Sequence, residues 1–142
     1  MAIWTQSAPA KINLALDILG RRPDGYHEMR MVMQTVSICD KITLENTGEG
    51  FAISARGMDL PAGTVTLEQR AAEAFFFHTK QTMPGLRVRL EKRIPAYAGL
   101  GGGSADVAAL LRLLREYCAP RLFPDRLEQI GLSVGSDVPF CI

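Results

Sequence analysis

Pro95-Ala-Tyr-Ala-Gly-Leu-Gly-Gly-Gly-Ser-Ala105 is the stretch from which the fold and the chemistry are read. Just before it, Leu86-Arg-Val-Arg-Leu-Glu-Lys92 alternates apolar and polar side chains, the period of a strand with one buried face. Just after it, Val107, Leu110, Leu111 and Leu114 fall on one helical stripe, which predicts a helix from about Ser104 to Tyr117, with Pro120 beyond its end. Glycines at a strand-to-helix junction let the backbone take positive φ and let a ligand approach closely. The start of the following helix adds free N–H groups and a positive dipole end, so the segment reads as a phosphate cradle. Ser104 is placed to cap that helix and to reach a phosphate or a phosphate-bound metal ion. The competing reading is a turn that needs glycine and binds nothing.

Two better-known phosphate loops do not match. A Walker A loop ends in Gly-Lys-Ser/Thr, and no Lys follows these glycines. The dinucleotide loop comes early in its fold and has an acidic ribose partner downstream, and neither applies here. The His-Arg-Asp and Asp-Phe-Gly elements of a protein kinase are also missing.

Upstream, Ile12, Leu14, Leu16 and Ile18 alternate within Lys11–Leu19, predicting a strand with one buried face. Gly20-Arg-Arg-Pro-Asp-Gly25 carries turn chemistry. A second strand is read over about Arg30 to Ser37, with a helix left open by its methionines. Lys41–Glu45 and Phe51–Ala55 look like a hairpin across a polar loop. The period then changes: Thr66 caps a helix over about Leu67 to Thr79. A short helix is read in Pro124 to Ile130, and the last segment is Gly135-Ser-Asp-Val-Pro-Phe-Cys-Ile142. Strands early and helices late favour an α+β fold over a regular βαβ array.

The chain has 142 residues, about one domain, with 47% apolar and 22% charged residues and a net charge of +1. The basic residues are scattered, which disfavours nucleic acid as a partner. Three cysteines, Cys39, Cys118 and Cys141, form no C-x-x-C pair, so a reducing cytoplasmic compartment is expected rather than zinc or disulfides. No signal peptide and no run of about 18 apolar residues is visible, so no membrane partner is expected. The sequence says nothing of oligomeric state.

Four further positions carry candidate chemistry. Lys11 opens the first strand, with Asn13 next on its face; it reads either as a solvated strand end or as a cation facing a phosphate. Tyr26 and His27 follow the turn and can stack on a base and bond its edge, or simply cover the core. Asp137, before an extended Val-Pro segment, reads as a turn or capping acid or as the acceptor of a hydroxyl proton. Asp106 is read as first-turn compensation of the helix dipole, and His78 as a dipole partner at a helix end.

Together, Ala8–Leu14, Gly20–His27, Pro95–Ser104 and Gly135–Phe140 resemble, in order and over nearly the whole chain, the 4-diphosphocytidyl-2-C-methyl-D-erythritol kinases of the GHMP superfamily (galactokinase, homoserine kinase, mevalonate kinase, phosphomevalonate kinase). The resemblance implies an N-terminal domain of the ribosomal protein S5 domain 2-like fold. It also implies transfer of the ATP γ-phosphate to the 2-hydroxyl of the cytidyl substrate, in isoprenoid precursor synthesis. ATP would be held by Pro95, Ala96, Tyr97, Ala98, Gly99, Leu100, Gly101, Gly102, Gly103, Ser104 and Ala105. Asp137 would be the base, oriented by Lys11, which also polarises the hydroxyl. Asn13 would lie near the reacting end, and Tyr26 and His27 would hold the cytosine. Mg2+ would accompany the nucleotide.

Two residues depart from the family pattern: Tyr97, where small residues are common, and Ala105, in place of a second serine. Family members continue past the equivalent of Ile142 into a second domain, so the chain alone is expected to be weakly active or inactive. A different small alcohol as acceptor, or a nucleotide-binding module without catalysis, remain the alternatives.

Overall fold

The computed structural model describes residues 3–60 and 63–142. In chain order the elements are β1 (Ile3–Arg21), β2 (His27–Asn46), β3 (Phe51–Arg56), α1 (Leu67–Thr79), β4 (Leu86–Glu91), α2 (Gly102–Cys118), α3 (Pro124–Val134) and α4 (Val138–Cys141). The strands form a four-stranded sheet in the order β1-β2-β4-β3. β1 pairs with β2 and β2 with β4 antiparallel, and β3 pairs with β4 in parallel. The fold is α+β.

The register explains the core. Trp4, Leu44, Val88 and Ile53 lie across one row, and Gln6, Ile42, Leu90 and Ala55 across the next. Because side chains alternate faces along a strand, these rows share one face, and the helices cover it. Ile42, Leu44, Val88, Leu90 and Phe75 of α1 are all essentially without solvent exposure. The opposite face is polar: Arg87 and Arg89 converge on the Glu45 carboxylate at 3.3 and 2.8 Å. α2 runs through the middle of the core. Its Val107, Leu110, Leu111 and Leu114 are fully buried, and so are Ala108 and Ala109 between them. α1 is capped as expected, Thr66 Oγ1 accepting from the Gln69 N–H at 3.2 Å. His78 falls in the last turn of α1.

Three sequence expectations are corrected. The segments over Arg30 to Ser37 and Lys41–Glu45 belong to one long strand, β2, because Asp40 between them does not break the chain; its carboxylate is met by partners from outside the strand. Lys41–Glu45 and Phe51–Ala55 do not pair as a hairpin. β3 and β4 are joined through α1, a crossover that permits parallel pairing, and β4 lies between β2 and β3. Finally, the alternating face of β1 is not buried beyond Ile12. Leu14 is 63% exposed and Ile18 64%, because the outer half of the β1–β2 ribbon extends past the helices. Leu16 pairs with Met31 and Ile18 with Met29 across that ribbon. α3 also runs farther than read, to Val134, and residues 138–141 are helical.

The insertion of β4 leaves a tight crossing. Thr47 N–H donates to Gly85 O at 2.9 Å, and a Cβ added at Gly85 would lie 1.8 Å from the Glu49 amide nitrogen. Backbone cannot yield as a side chain does. Gly85→Ala is therefore expected to cost at least about 1–3 kcal/mol, read as a lower urea midpoint at unchanged slope. A variant as stable as the parent would show that the crossing is loose. Among the described residues, no helix is long and apolar enough to cross a membrane.

Candidate active site

The glycine segment leaves β4 and enters α2 as read, but the helix begins earlier. Gly101 is the N-cap, in the left-handed region at φ 69°, and Gly102, Gly103 and Ser104 form the first turn. The first helical bond recorded at this end is Ala105 N–H to Gly101 O at 2.9 Å. The amides of residues 102–104 have no carbonyl one turn back and are free for an anion. Ser104 is therefore not the cap; its hydroxyl is in the first turn, on the side of Gly135. Tyr97 holds φ 58° and is fully exposed at the rim of the cavity the segment lines.

The segment is fastened to β1 at Lys11. The Lys11 N–H donates to Leu100 O at 2.9 Å. A Cβ at Gly101 would sit 3.0 Å from Lys11 Cγ and Cε, so the glycine lets the lysine side chain pass beneath the loop. Lys11 is buried, which removes the solvated-strand-end alternative. Its ammonium reaches Asp137 Oδ2 at 3.5 Å and donates to Asn13 Oδ1 at 3.4 Å. Asp137 occupies the N-cap position of α4 with helical φ/ψ, and the Val138-Pro139 segment after it, expected to be extended, is helical. Its side chain makes no capping bond and turns to Lys11 instead.

Arg112 ties these parts together. Its Nε donates to Gln6 Oε1 at 2.8 Å, and its guanidinium donates to the carbonyls of Ser7, at 3.3 Å, and Cys141. It thus links β1, which carries Lys11, to α4, which follows Asp137. Three of the four quoted segments therefore meet at one place. Tyr26 and His27 do not join them. They stand exposed at the turn of the ribbon, ten strand residues beyond Lys11, with no side-chain bond to it among the described residues.

A cavity of about 510 Å³ lies beside the glycine segment, lined on its other side by Met58, Leu60, Thr64–Glu68, Lys92 and Asp106. Its floor contains a buried charge cluster that sequence reading missed. Lys92 Nζ donates to Asp106 Oδ2 at 2.5 Å and to Asp40 Oδ2. Asp40 Oδ1 also accepts from the backbone N–H groups of Arg93, at 2.5 Å, and Ile94, at 2.8 Å. The cluster pins the entry of the glycine segment to β2 and to α2. Asp106 is one turn too deep for dipole compensation and only 1% exposed; its partner is Lys92. The available signal was an acid on the apolar stripe of a helix, four residues before Leu110.

Burial pushes the Asp106 carboxyl up to about 7, against the pull of Lys92, and the nearby Asp40 and Glu68 carboxylates push the same way. A raised folded-state value means that the folded chain holds a proton there that the unfolded chain has lost. The stability from this group is present below about pH 4 and is lost as pH rises toward 7. Asp106→Asn is expected to flatten that part of a stability-versus-pH curve. An unchanged slope would assign it to other groups.

All three cysteines are free thiols, and burial pushes Cys118 up to about 11 and Cys141 upward, which suits neither for nucleophilic work. Among the described residues, no three His, Cys, Asp or Glu side chains are grouped to hold a metal ion.

Residues 66–142 match the family model of the GHMP kinases N terminal domain. The 4-diphosphocytidyl-2-C-methyl-D-erythritol kinase of Geobacter sulfurreducens is 42% identical over 97% of this chain and 50% of its own length. That of Pelotomaculum thermopropionicum is 45% identical over 97% and 48%. A crystal structure of 4-(cytidine 5'-diphospho)-2C-methyl-D-erythritol kinase superposes with a TM-score of 0.79 at 36% identity, covering 97% of this chain and 48% of that one. Mevalonate kinase of Methanococcus jannaschii, at 13% identity and a TM-score of 0.71, shares the fold. The chain spans about half the length of the curated relatives it matches. Over more than half of its residues the match is to one family model, and the glycine segment lies inside that match: the chain belongs to the GHMP kinase family.

Proposed function

We propose that this chain carries the nucleotide cradle and the reacting pair of a kinase that phosphorylates the 2-hydroxyl of 4-diphosphocytidyl-2-C-methyl-D-erythritol, a step in isoprenoid precursor synthesis by the methylerythritol phosphate route. The observation that carries the reading is the Lys11–Asp137 pair at 3.5 Å, held directly beneath the glycine segment by the Lys11 N–H bond to Leu100 O. Relatives bearing that enzyme's name, at about 40% identity along nearly the whole chain, support the choice of acceptor.

The residues present fit a nucleotide triphosphate. The free amides of Gly102, Gly103 and Ser104 and the positive end of α2 suit phosphate oxygens. ATP would supply the phosphoryl group, and Mg2+ bound with it, with Ser104 the residue placed to help hold it, would neutralise its charge. Asp137 takes the proton of the attacking hydroxyl as the new O–P bond forms, the β–γ bond breaks and ADP leaves. Lys11 holds that carboxylate in place and polarises the hydroxyl. Asn13 fixes the lysine at the reacting end. Tyr26 and His27, on the ribbon, take the cytosine; their distance from Lys11 along β1 requires the ribbon to curve over the acceptor.

The test is an acceptor screen with the chain extended to its relatives' length. ATP, Mg2+ and the cytidyl substrate are expected to give ADP and a new phosphomonoester signal by 31P NMR. Preferred turnover of mevalonate or homoserine would contradict the acceptor, and nucleotide binding without any turnover would favour a non-catalytic module.

A further inference from the structure

The cavity floor holds one carboxylate that nothing in the fold accounts for. Glu68, in the first turn of α1, is only 6% exposed and lines the cavity. Lys92, the cation closest to hand, is committed to Asp40 and Asp106. Among the described residues, Glu68 makes no ion pair, and its side chain accepts no hydrogen bond; its recorded electrostatic neighbour is the like-charged Asp106. The Glu68 oxygens are not among the fully buried, unpartnered atoms of the described residues, so the carboxylate keeps solvent access at the cavity it lines and is open to a donor from a ligand.

The two sides of the cavity suit different parts of a nucleotide. The glycine segment offers amide donors and a helix N-terminus, where phosphates belong. The facing side offers Met58, Leu60 and Val65 as apolar walls, with Glu68 and Asp106 below. Negative charge there repels phosphate and favours an uncharged, donor-bearing, flat group.

We propose that Glu68 is the base-reading residue of this cavity, accepting a hydrogen bond from the exocyclic amine of a 6-aminopurine nucleotide. This rests on the ATP reading above and adds its specificity. A 6-oxopurine presents an acceptor at the same position, so its oxygen faces the Glu68 carboxylate. Sites built to bond an N–H reject analogues that lack it far more strongly than apolar pockets reject a missing methylene.

Isothermal titration of the chain with ATP, ITP and GTP, each with Mg2+, tests the assignment against Glu68→Leu and Glu68→Gln. The parent is expected to bind ATP at least about 10-fold more tightly than ITP or GTP. Glu68→Leu removes that preference by weakening ATP alone, and Glu68→Gln, whose amide can accept from the amine or turn to donate to the 6-oxo group, removes it by strengthening ITP and GTP. Since the preference is a ratio within one protein, a merely structural role for Glu68 does not move it. Equal binding of ATP and ITP by the parent overturns the proposal and leaves the cradle reading intact, as does GTP binding more tightly than ATP or a ratio unmoved by Glu68→Leu. Failure of all three nucleotides to bind the parent overturns both.

Discussion

Asp137→Asn, made in the chain extended to its relatives' length, is expected to lower kcat by about 10²–10⁴-fold while leaving the affinity for ATP unchanged. The amide keeps the size and shape of the carboxylate but cannot take the hydroxyl proton. The one side-chain bond recorded for Asp137 among the described residues is its ion pair with Lys11, and it makes no capping bond. Its loss therefore falls on the chemical step, not on folding or on the cradle. ADP release in a coupled assay gives kcat, and calorimetry gives the nucleotide affinity. Full turnover by the variant would remove Asp137 from the chemistry. A parallel loss of nucleotide affinity would make it a structural residue of the cradle.

Lys92→Met is expected to have the largest effect on stability, about 3–5 kcal/mol. It leaves Asp40 and Asp106 facing each other in a buried site without their shared cation. Asp40 keeps its two backbone donors from Arg93 and Ile94, whereas Asp106 keeps none, since its Oδ1 is already without a partner. The double variant Lys92→Met/Asp106→Asn should recover part of the loss, because the amide stays neutral where the Asp106 carboxyl, without Lys92, must take up a proton. Urea denaturation of the three proteins measures both effects. A single-variant loss below about 1 kcal/mol would mean that the cluster is more hydrated than its burial indicates.

Most of the candidate site was legible because its parts are local. The glycine run, its strand on one side and its helix on the other lie in a single stretch of about thirty residues, and each carries its own period. The pairing of Lys11 with Asp137 was not legible from the residues; it entered with the family resemblance, and the structure brings the two together. What escaped was decided by long-range placement. The short polar loop after β2 looks like any hairpin turn, and only the α1 crossover puts β4 between β2 and β3. The alternation of Leu14, Leu16 and Ile18 reports a paired strand correctly but cannot say whether anything covers its face. Lys92 reads in the sequence only as the end of an alternating strand, because its two acidic partners lie 52 and 14 residues away. Tyr26 and His27 are where the chain turns, but their meeting with a substrate depends on the curve of the ribbon.

The central claim is that phosphate is held by the first turn of α2, directly above Lys11. An amide-resolved 15N–1H NMR titration of the chain with ATP and Mg2+ tests it most directly. The account predicts saturable shifts at Gly101, Gly102, Gly103 and Ser104, with smaller ones at Lys11 and Asn13 and none at Arg87 or Arg89 on the open face of the sheet. An unperturbed glycine segment, or shifts centred on that basic face, would contradict it.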